Sequence, residues 1–317
     1  MGSARSGTSW LAKAFDSHPD VIYRHEPDLV FPGEGPPRVS NAEDFDRLAP
    51  EAASFFEKMA SARALRAVGS LPVFRKNYHS GSQHLIRLAL IGALRAIGKS
   101  GLAGRNSAHS VKIPDFVDLA SPHRPMVVIK SIDFVDRAGL FARTVPGLRV
   151  ILLIRDPRSV VASRLRGWRA GKFATDQPWE GLVELPPAKQ RGLTVEQFRA
   201  LPRAVQSAWD WLIENEPALE SIANCSNVRV VKFREMIDAP EPTVRQLFDF
   251  AGLPWVAQTG EFIHASRSGN SRGRYYGVYR DQNFAQRADE WEDVMSPPEA
   301  QQVYQLVRDS PTGRLFA

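Results

Sequence analysis

Residues 2–10 read Gly-Ser-Ala-Arg-Ser-Gly-Thr-Ser-Trp, which places two glycines, several hydroxyls and one guanidinium directly ahead of a helical pattern. Glycine lets the backbone turn tightly against a ligand, and a helix start offers unpaired N–H groups at the positive end of a dipole. The chemistry this suits is capture of an anion. Gly2, Gly7, Thr8 and Ser9 fit the nucleotide-binding frame G-x-x-x-x-G-K-[ST], except that threonine stands at the lysine position and the cation has moved to Arg5. Taken alone, the stretch also fits a glycine-rich turn capping an ordinary helix.

A second basic turn is Arg155-Asp156-Pro157, at the end of an apolar run. Asp156 can cap and Pro157 can take the first helical position, so a helix carrying Ser159, Ser163 and Arg164 begins at once. If the two turns close neighbouring parallel strands, they face one sheet edge and hold two separate phosphate-like groups of one nucleotide. A third cluster, Arg24-His25-Glu26-Pro27, follows the short strand pattern at Val21.

The elements that must position these residues alternate. A helix is expected over Thr8–Ser17 with Trp10, Leu11, Ala14 and Phe15 inward, then the strand Val21–Tyr23. Residues 30–42 read as a loop, followed by helical patterns over Ala42–Val68 and Gln83–Ile97 and a Gly/Ser-rich break at 98–110. This region, about 30–110, reads as a helical insertion beside the site. Strands at Met126–Lys130 and Arg149–Ile154 flank a helix at Asp136–Thr144 and make a βαβ unit. After a loop at about 170–193, a helix holds Trp209 and Trp211 and is expected to stop near Pro217. A strand at Val228–Phe233, helices at Thr243–Ala251 and Pro298–Val307, and a flexible stretch at 267–280 complete the chain.

The expected fold is a single domain over 1–317: a three-layer, P-loop-like α/β arrangement with a central parallel sheet flanked by helices. Its first strand is expected to be truncated, because only Met1 precedes Gly2 whereas a strand usually runs about 5–6 residues.

Composition is that of a soluble globular protein, 43% apolar and 24% charged. The net charge of +6 suits phosphate or sulfate ligands and acidic glycans, and equally a solvated basic surface. The aromatic residues do not interleave with basic ones in a nucleic-acid-binding motif, so no nucleic-acid partner is expected. One cysteine, Cys225, leaves no intrachain disulfide and points to a reducing, cytoplasmic setting; no signal peptide is read. The Leu85–Ile97 pattern is interrupted by Arg87 and Arg95, which excludes a membrane span; a helix packed on the main domain is favoured over a peripheral membrane contact.

Together, Arg-Ser-Gly-Thr-Ser-Trp near the start, Arg-Asp-Pro-Arg-Ser-Val-Val-Ala-Ser-Arg at 155–164 and a late Arg-Ser-Gly resemble the sulfotransferases that use 3′-phosphoadenosine 5′-phosphosulfate. Pro19 to Pro27 and Arg155 to Arg164 are most similar to the carbohydrate sulfotransferases. The resemblance covers residues 2–27 and about 126–310. It implies that Arg5, Ser6, Gly7, Thr8 and Ser9 hold the 5′-phosphosulfate and that Arg155 and Ser163 hold the 3′-phosphate. Arg267, Ser268 and Gly269 resemble the late loop that closes over that phosphate. Trp10 matches a position that contacts adenine in many members; a core residue on the first helix is its competing role.

Many soluble members have a Lys-Thr-His run whose histidine is the base, but here Lys130-Ser131-Ile132-Asp133 lacks it. Carbohydrate-type members place a glutamate before proline after the short strand, which implies Glu26 as the base, with His25 second. Arg5 is placed to stabilise the departing oxygen, and Lys130 to assist the leaving group or neutralise the site. At Lys232-Phe233-Arg234-Glu235-Met236 the family's usual tyrosine and two acids are replaced. No carboxylate cluster demands a metal. The expected acceptor is a carbohydrate or glycolipid hydroxyl. The rival readings are a P-loop nucleotide kinase, weakened by the missing lysine, and an inactive basic module binding glycan or another polyanion. The sequence leaves the oligomeric state open.

Overall fold

Among the described residues, four short strands rich in Val and Ile carry the basic turns and the Arg24-His25-Glu26-Pro27 cluster. The computed structural model describes residues 1–38, 42–100, 111–117, 124–171, 180–267 and 291–316. Strands β1 (Val21–His25) and β2 (Met126–Lys130) pair in parallel with His25 opposite Lys130. Strands β3 (Val150–Ile154) and β4 (Val228–Lys232) pair in parallel with Ile154 opposite Lys232. Helices flank the strands, so the fold class is α/β with a parallel strand order. The described strands pair as two parallel ladders, β1 with β2 and β3 with β4. On β3, the N–H of Val150 turns to Asn227 at the β4 side, and main-chain groups alternate sides along a strand. Met1 takes the opposite edge: its nitrogen donates to Ile151 O at 2.6 Å, and its carbonyl accepts from Leu153 N at 2.9 Å.

Helix α1 (Thr8–Asp16) follows the first turn, with Gly7 as its left-handed N-cap. Its Trp10, Leu11, Ala14 and Phe15 are buried with Val21, Tyr23, Leu153, Phe233 and Phe248 in one core cluster. Its last turn is held by charge. Lys13 Nζ lies 2.6 Å from Asp16 Oδ2 and donates to the carbonyls of Ser70 and Pro72, and Lys76 Nζ lies 3.1 Å from Asp16 Oδ1. Burial pushes the Asp16 carboxyl up, but the charges and hydrogen bonds of Lys13 and Lys76 outweigh it and hold the group below the usual carboxylate range.

Between β1 and β2 stand α2 (Phe45–Ala60), α3 (Leu65–Val68) and α4 (Gly81–Ser100). Pro50 lies inside α2, and Phe45, Leu48, Phe55 and Met59 bury against Phe134, Leu140 and Phe141. Helix α4 inserts Ile91 and Leu94 among Leu65, Val68 and Ile113, while Leu85, Ile86, Leu88 and Ile97 are exposed. No described helix is long and apolar enough to cross a membrane.

A short 3-10 turn (Val135–Arg137) leads into α5 (Ala138–Thr144), and α6 (Pro157–Arg169) starts directly after β3, with Asp156 accepting from Arg158 N at 2.8 Å. Helices α7 (Pro186–Gln190) and α8 (Val195–Ala200) precede α9 (Arg203–Ile222). Helix α9 does not stop near Pro217 but runs through it. An interior proline removes one hydrogen bond and costs about 3 kcal/mol. That loss is outweighed here because Trp211, Leu212, Ile213, Ala218 and Ile222 bury against β3, β4 and α5, each large apolar side chain contributing roughly 1.5–3 kcal/mol. Strand β4 ends one residue earlier than expected, since Phe233 opens α10 (Phe233–Asp238), which is followed by α11 (Pro240–Ala251), α12 (Ala257–Arg267) and α13 (Pro297–Val307). The Phe233 ring packs where Gly7 leaves room: a Cβ at Gly7 would sit 2.5 Å from it.

Two stability effects follow from this packing. Gly7→Ala must both hold a φ of 90° and push the Phe233 ring away, so it is expected to lower unfolding free energy by about 1–3 kcal/mol in chemical denaturation. Asp16→Asn leaves two buried ammonium groups without their anion and is expected to cost about 3–5 kcal/mol. Because the Asp16 carboxyl is depressed in the folded state, its contribution is present above the ordinary carboxylate range and is lost as pH falls through the folded value. The gap between wild type and Asp16→Asn should therefore narrow in acid.

Candidate active site

The turn ahead of α1 is built from two left-handed residues, Arg5 at φ 79° and Gly7 at φ 90°, with Ser6 N donating to Ser3 O at 3.0 Å. Only glycine adopts such φ freely, so Arg5 carries backbone strain of about 1–3 kcal/mol. The hydroxyl of Ser3 accepts from Asn215 Nδ2 on α9 at 2.7 Å, which fixes the turn to the helix behind it. Ser6 is buried in the turn, and its Oγ has no hydrogen-bond partner. An anion seated on the turn would supply one.

The second turn meets the first directly. Arg5 Nε donates to Ser163 Oγ at 3.0 Å, and Arg155 Nη1 donates to the Arg5 carbonyl at 3.1 Å. Arg155 is itself held from two sides: Trp211 Nε1 donates to its carbonyl at 3.1 Å, and its guanidinium lies 4.3 Å from the Phe233 ring centre. Arg5, Arg155 and Ser163 are thus gathered although 150 or more residues separate the two turns. Thr8 and Ser9 open α1 at the same place.

At the end of β1 alternation separates Arg24 from His25, and the left-handed backbone at Glu26 keeps that carboxylate from following Arg24. Arg24 turns away into the insertion, where it donates to both carboxylate oxygens of Asp115 at 3.0 and 2.7 Å. His25 and Glu26 stay at the strand end with Lys130, their partner across the ladder. Glu26 has left-handed φ and ψ of 46° and 54°, and its N–H donates to the Lys130 carbonyl at 2.8 Å. Lys130 Nζ donates to Glu26 Oε1, His25 Nε2 lies 3.9 Å from that oxygen, and Arg66 Nη2 of α3 lies 3.6 Å from Oε2. Burial opposes ionisation of Glu26, but the Lys130 charge and hydrogen bond, with His25 and Arg66, hold its carboxyl below the usual range. Burial and then the Lys130 charge push His25 down to about 4, so its ring is neutral at pH 7, with Nδ1 2.7 Å from the Tyr23 hydroxyl.

Trp10 is buried in the core, and its indole N–H donates to Ser266 Oγ at 2.9 Å. Arg267 is the last residue of α12, while Ser268 and Gly269 lie outside the described residues, as does the rest of the 267–280 stretch. Among the described residues, no group of three or more His, Cys, Asp or Glu side chains is arranged to hold a metal.

Sequence reasoning missed Phe233, which is the floor of the first turn and the stacking partner of Arg155. It also missed Asn215 and Trp211. A helix position gives no local sign that its side chain will reach a turn more than 50 residues away; the one available signal was two tryptophans and an asparagine on a single helix.

The Sulfotransferase family model matches residues 1–257. Carbohydrate sulfotransferase 3 of Homo sapiens is 30% identical over 171 residues, which cover 53% of this chain and 33% of that protein. Carbohydrate sulfotransferase 5 of Mus musculus is 24% identical over 301 residues, which cover 86% of this chain and 68% of that protein. The chain spans about a third of the first of these relatives and about two thirds of the second. A solved structure, the Sulfotransferase Domain from the Synechococcus PCC 7002 Olefin Synthase, aligns with a TM-score of 0.45 at 14% identity, covering 98% of this chain and 94% of that one. The family match takes in both basic turns and all four strands, and the chain belongs to the sulfotransferase family.

Proposed function

We propose that this chain moves a sulfuryl group from 3′-phosphoadenosine 5′-phosphosulfate to a hydroxyl of a carbohydrate or glycolipid. The observation that carries the reading is the junction of the two turns through Arg5, Ser163 and Arg155, which brings the two basic turns together as a nucleotide with charges at both ribose ends would require. The names of the relatives support the carbohydrate acceptor. A cytoplasmic setting is part of the proposal and rests on the single cysteine.

In this reading the first turn and the start of α1 take the 5′-phosphosulfate, with Ser6 Oγ and the free N–H groups as donors. Arg155 and Ser163 take the 3′-phosphate. Glu26 accepts the proton of the acceptor hydroxyl as its oxygen attacks sulfur in line, and its depressed pKa keeps it ionised and ready at neutral pH. Its ion pair with Lys130 aims the carboxylate and keeps the lysine at the strand end. Negative charge then gathers on the bridging oxygen of the departing nucleotide, where Arg5 and the helix N–H groups stabilise it. Fixed cations replace a metal clamp, which a sulfuryl group, less charged than a phosphoryl group, needs less.

Adenosine 3′,5′-bisphosphate should raise the melting temperature without metal, and Arg155→Ala should weaken its binding about 10–100-fold, the loss of roughly 1.5–3 kcal/mol in charged hydrogen bonds. Stabilisation by Mg-ATP alone would point to a kinase instead. Glu26→Gln is expected to lower transfer by about 10²–10⁴-fold while the bisphosphate still binds, read by mass spectrometry of an oligosaccharide library for a gain of one sulfuryl group. Undiminished turnover in that variant would remove Glu26 from its assigned role.

A further inference from the structure

Asp28 lies two residues beyond Glu26, on the 3-10 turn Pro27–Val30, and is 4% exposed. Among the described residues, neither of its carboxylate oxygens has a hydrogen-bond partner on another residue. A buried carboxylate in that condition is costly, and few folded proteins keep one without a use for it. The charged groups whose fields reach it are Glu26 on its own turn, Lys130 at the end of β2, and Asp133 and Arg137 just beyond that strand. His25 and Arg66 complete the set around Glu26. Lys130 is the buried cation of the group, its side chain 4% exposed.

The reaction proposed above, on which this inference rests, creates a problem of charge at Lys130. As the acceptor oxygen forms its bond to sulfur, its proton passes to Glu26. The bond from sulfur to the 5′-phosphate oxygen breaks, and its electron pair leaves with the nucleotide. Glu26 becomes neutral at that moment, and the Lys130 ammonium loses the anion it is paired with. Removing one partner of a buried pair is among the larger penalties known in proteins. We propose that Asp28 is a positioning residue that remains ionised through the transfer and replaces Glu26 as the anion facing Lys130, so that Glu26 can take the proton without stranding a buried ammonium. Asp28 exchanges no proton with the substrate. Its lack of a hydrogen-bond partner in the resting state is then the condition that leaves it available.

The acidities of the two carboxyls separate their roles. Burial, reinforced by Asp133 and Glu26, pushes Asp28 up to about 6, whereas Glu26 is held below the usual range. A carboxylate that must be charged to support turnover imposes a loss of rate as pH falls through its own value, so the acid limb of kcat belongs to Asp28 and lies near 6.

Two measurements test this. The first uses 3′-phosphoadenosine 5′-phosphosulfate with the oligosaccharide acceptor found by the mass-spectrometric screen. Asp28→Asn should lower kcat roughly tenfold or more, the effect of about 1.4 kcal/mol, with donor KM unchanged, and should move the acid limb to lower pH; Asp28→Glu should restore much of the rate. An unchanged kcat, or a lowered kcat with the limb still near 6, overturns the proposal. The second needs no turnover. In Glu26→Gln protein, which imitates the protonated base, carbon-13 carboxyl titration should show the Asp28 value falling from about 6 as Lys130 turns to it, and a value that stays put overturns the proposal. Absence of sulfuryl transfer by the wild-type protein would sink the sulfotransferase reading itself, an outcome the carboxyl titration distinguishes from a failure of the Asp28 role alone.

Discussion

The structure depends on the contact that ties the two basic turns together. Arg5 is anchored on Ser163, and Arg155 is anchored on the carbonyl of Arg5. Arg155 also stacks on the face of Phe233. These contacts hold Arg5 at its left-handed φ of 79°, a local cost that the fold offsets. The packing behind the junction, from Trp211 and Asn215 on α9, serves to stop the two turns from moving apart.

The same logic of stored cost appears at the other strand end. Among the described residues, three non-glycine residues have positive φ, and two of them are Arg5 and Glu26. Strain of this kind persists where surrounding contacts over-determine the conformation. For Glu26 those contacts are the β1–β2 ladder, which delivers the Lys130 carbonyl to its N–H and the Lys130 ammonium to its side chain. The backbone bond and the ion pair come from one residue, so the carboxylate has little freedom to turn away.

The region between the paired strands does more than fill space. Lys13, Asp16 and Lys76 pin residues 70–76 to the last turn of α1, and Arg24 pins Asp115 beneath β1. Arg66 on α3 then stands beside Glu26. The helices between β1 and β2 thus reach Glu26 through Arg66, and the buried ion pairs behind them are unforgiving of partial loss because a stranded charge is costlier than a lost contact.

Local chemistry determined much of this from the sequence by itself. The basic turns at Gly2–Ser9 and Arg155–Ser163, the parallel strands and the Glu26-Pro27 step follow from glycine conformation, capping and apolar runs, all of which act over a few residues. Helix α9 escaped that reading because burial of Trp211 and its neighbours overrode Pro217, and burial is a property of the whole core. Arg24 was grouped with Glu26 in the chain but pairs with Asp115, because the left-handed turn at Glu26, just past the end of β1, takes that side chain off the face on which alternation would have put both. Tertiary structure alone decided that Arg5 meets Ser163, that Phe233 lies under Gly7, and that Asp28 is buried without a partner. Each joins elements whose separation in the chain leaves no periodic or local trace, and each is set by packing and charge rather than by the residues adjacent in sequence.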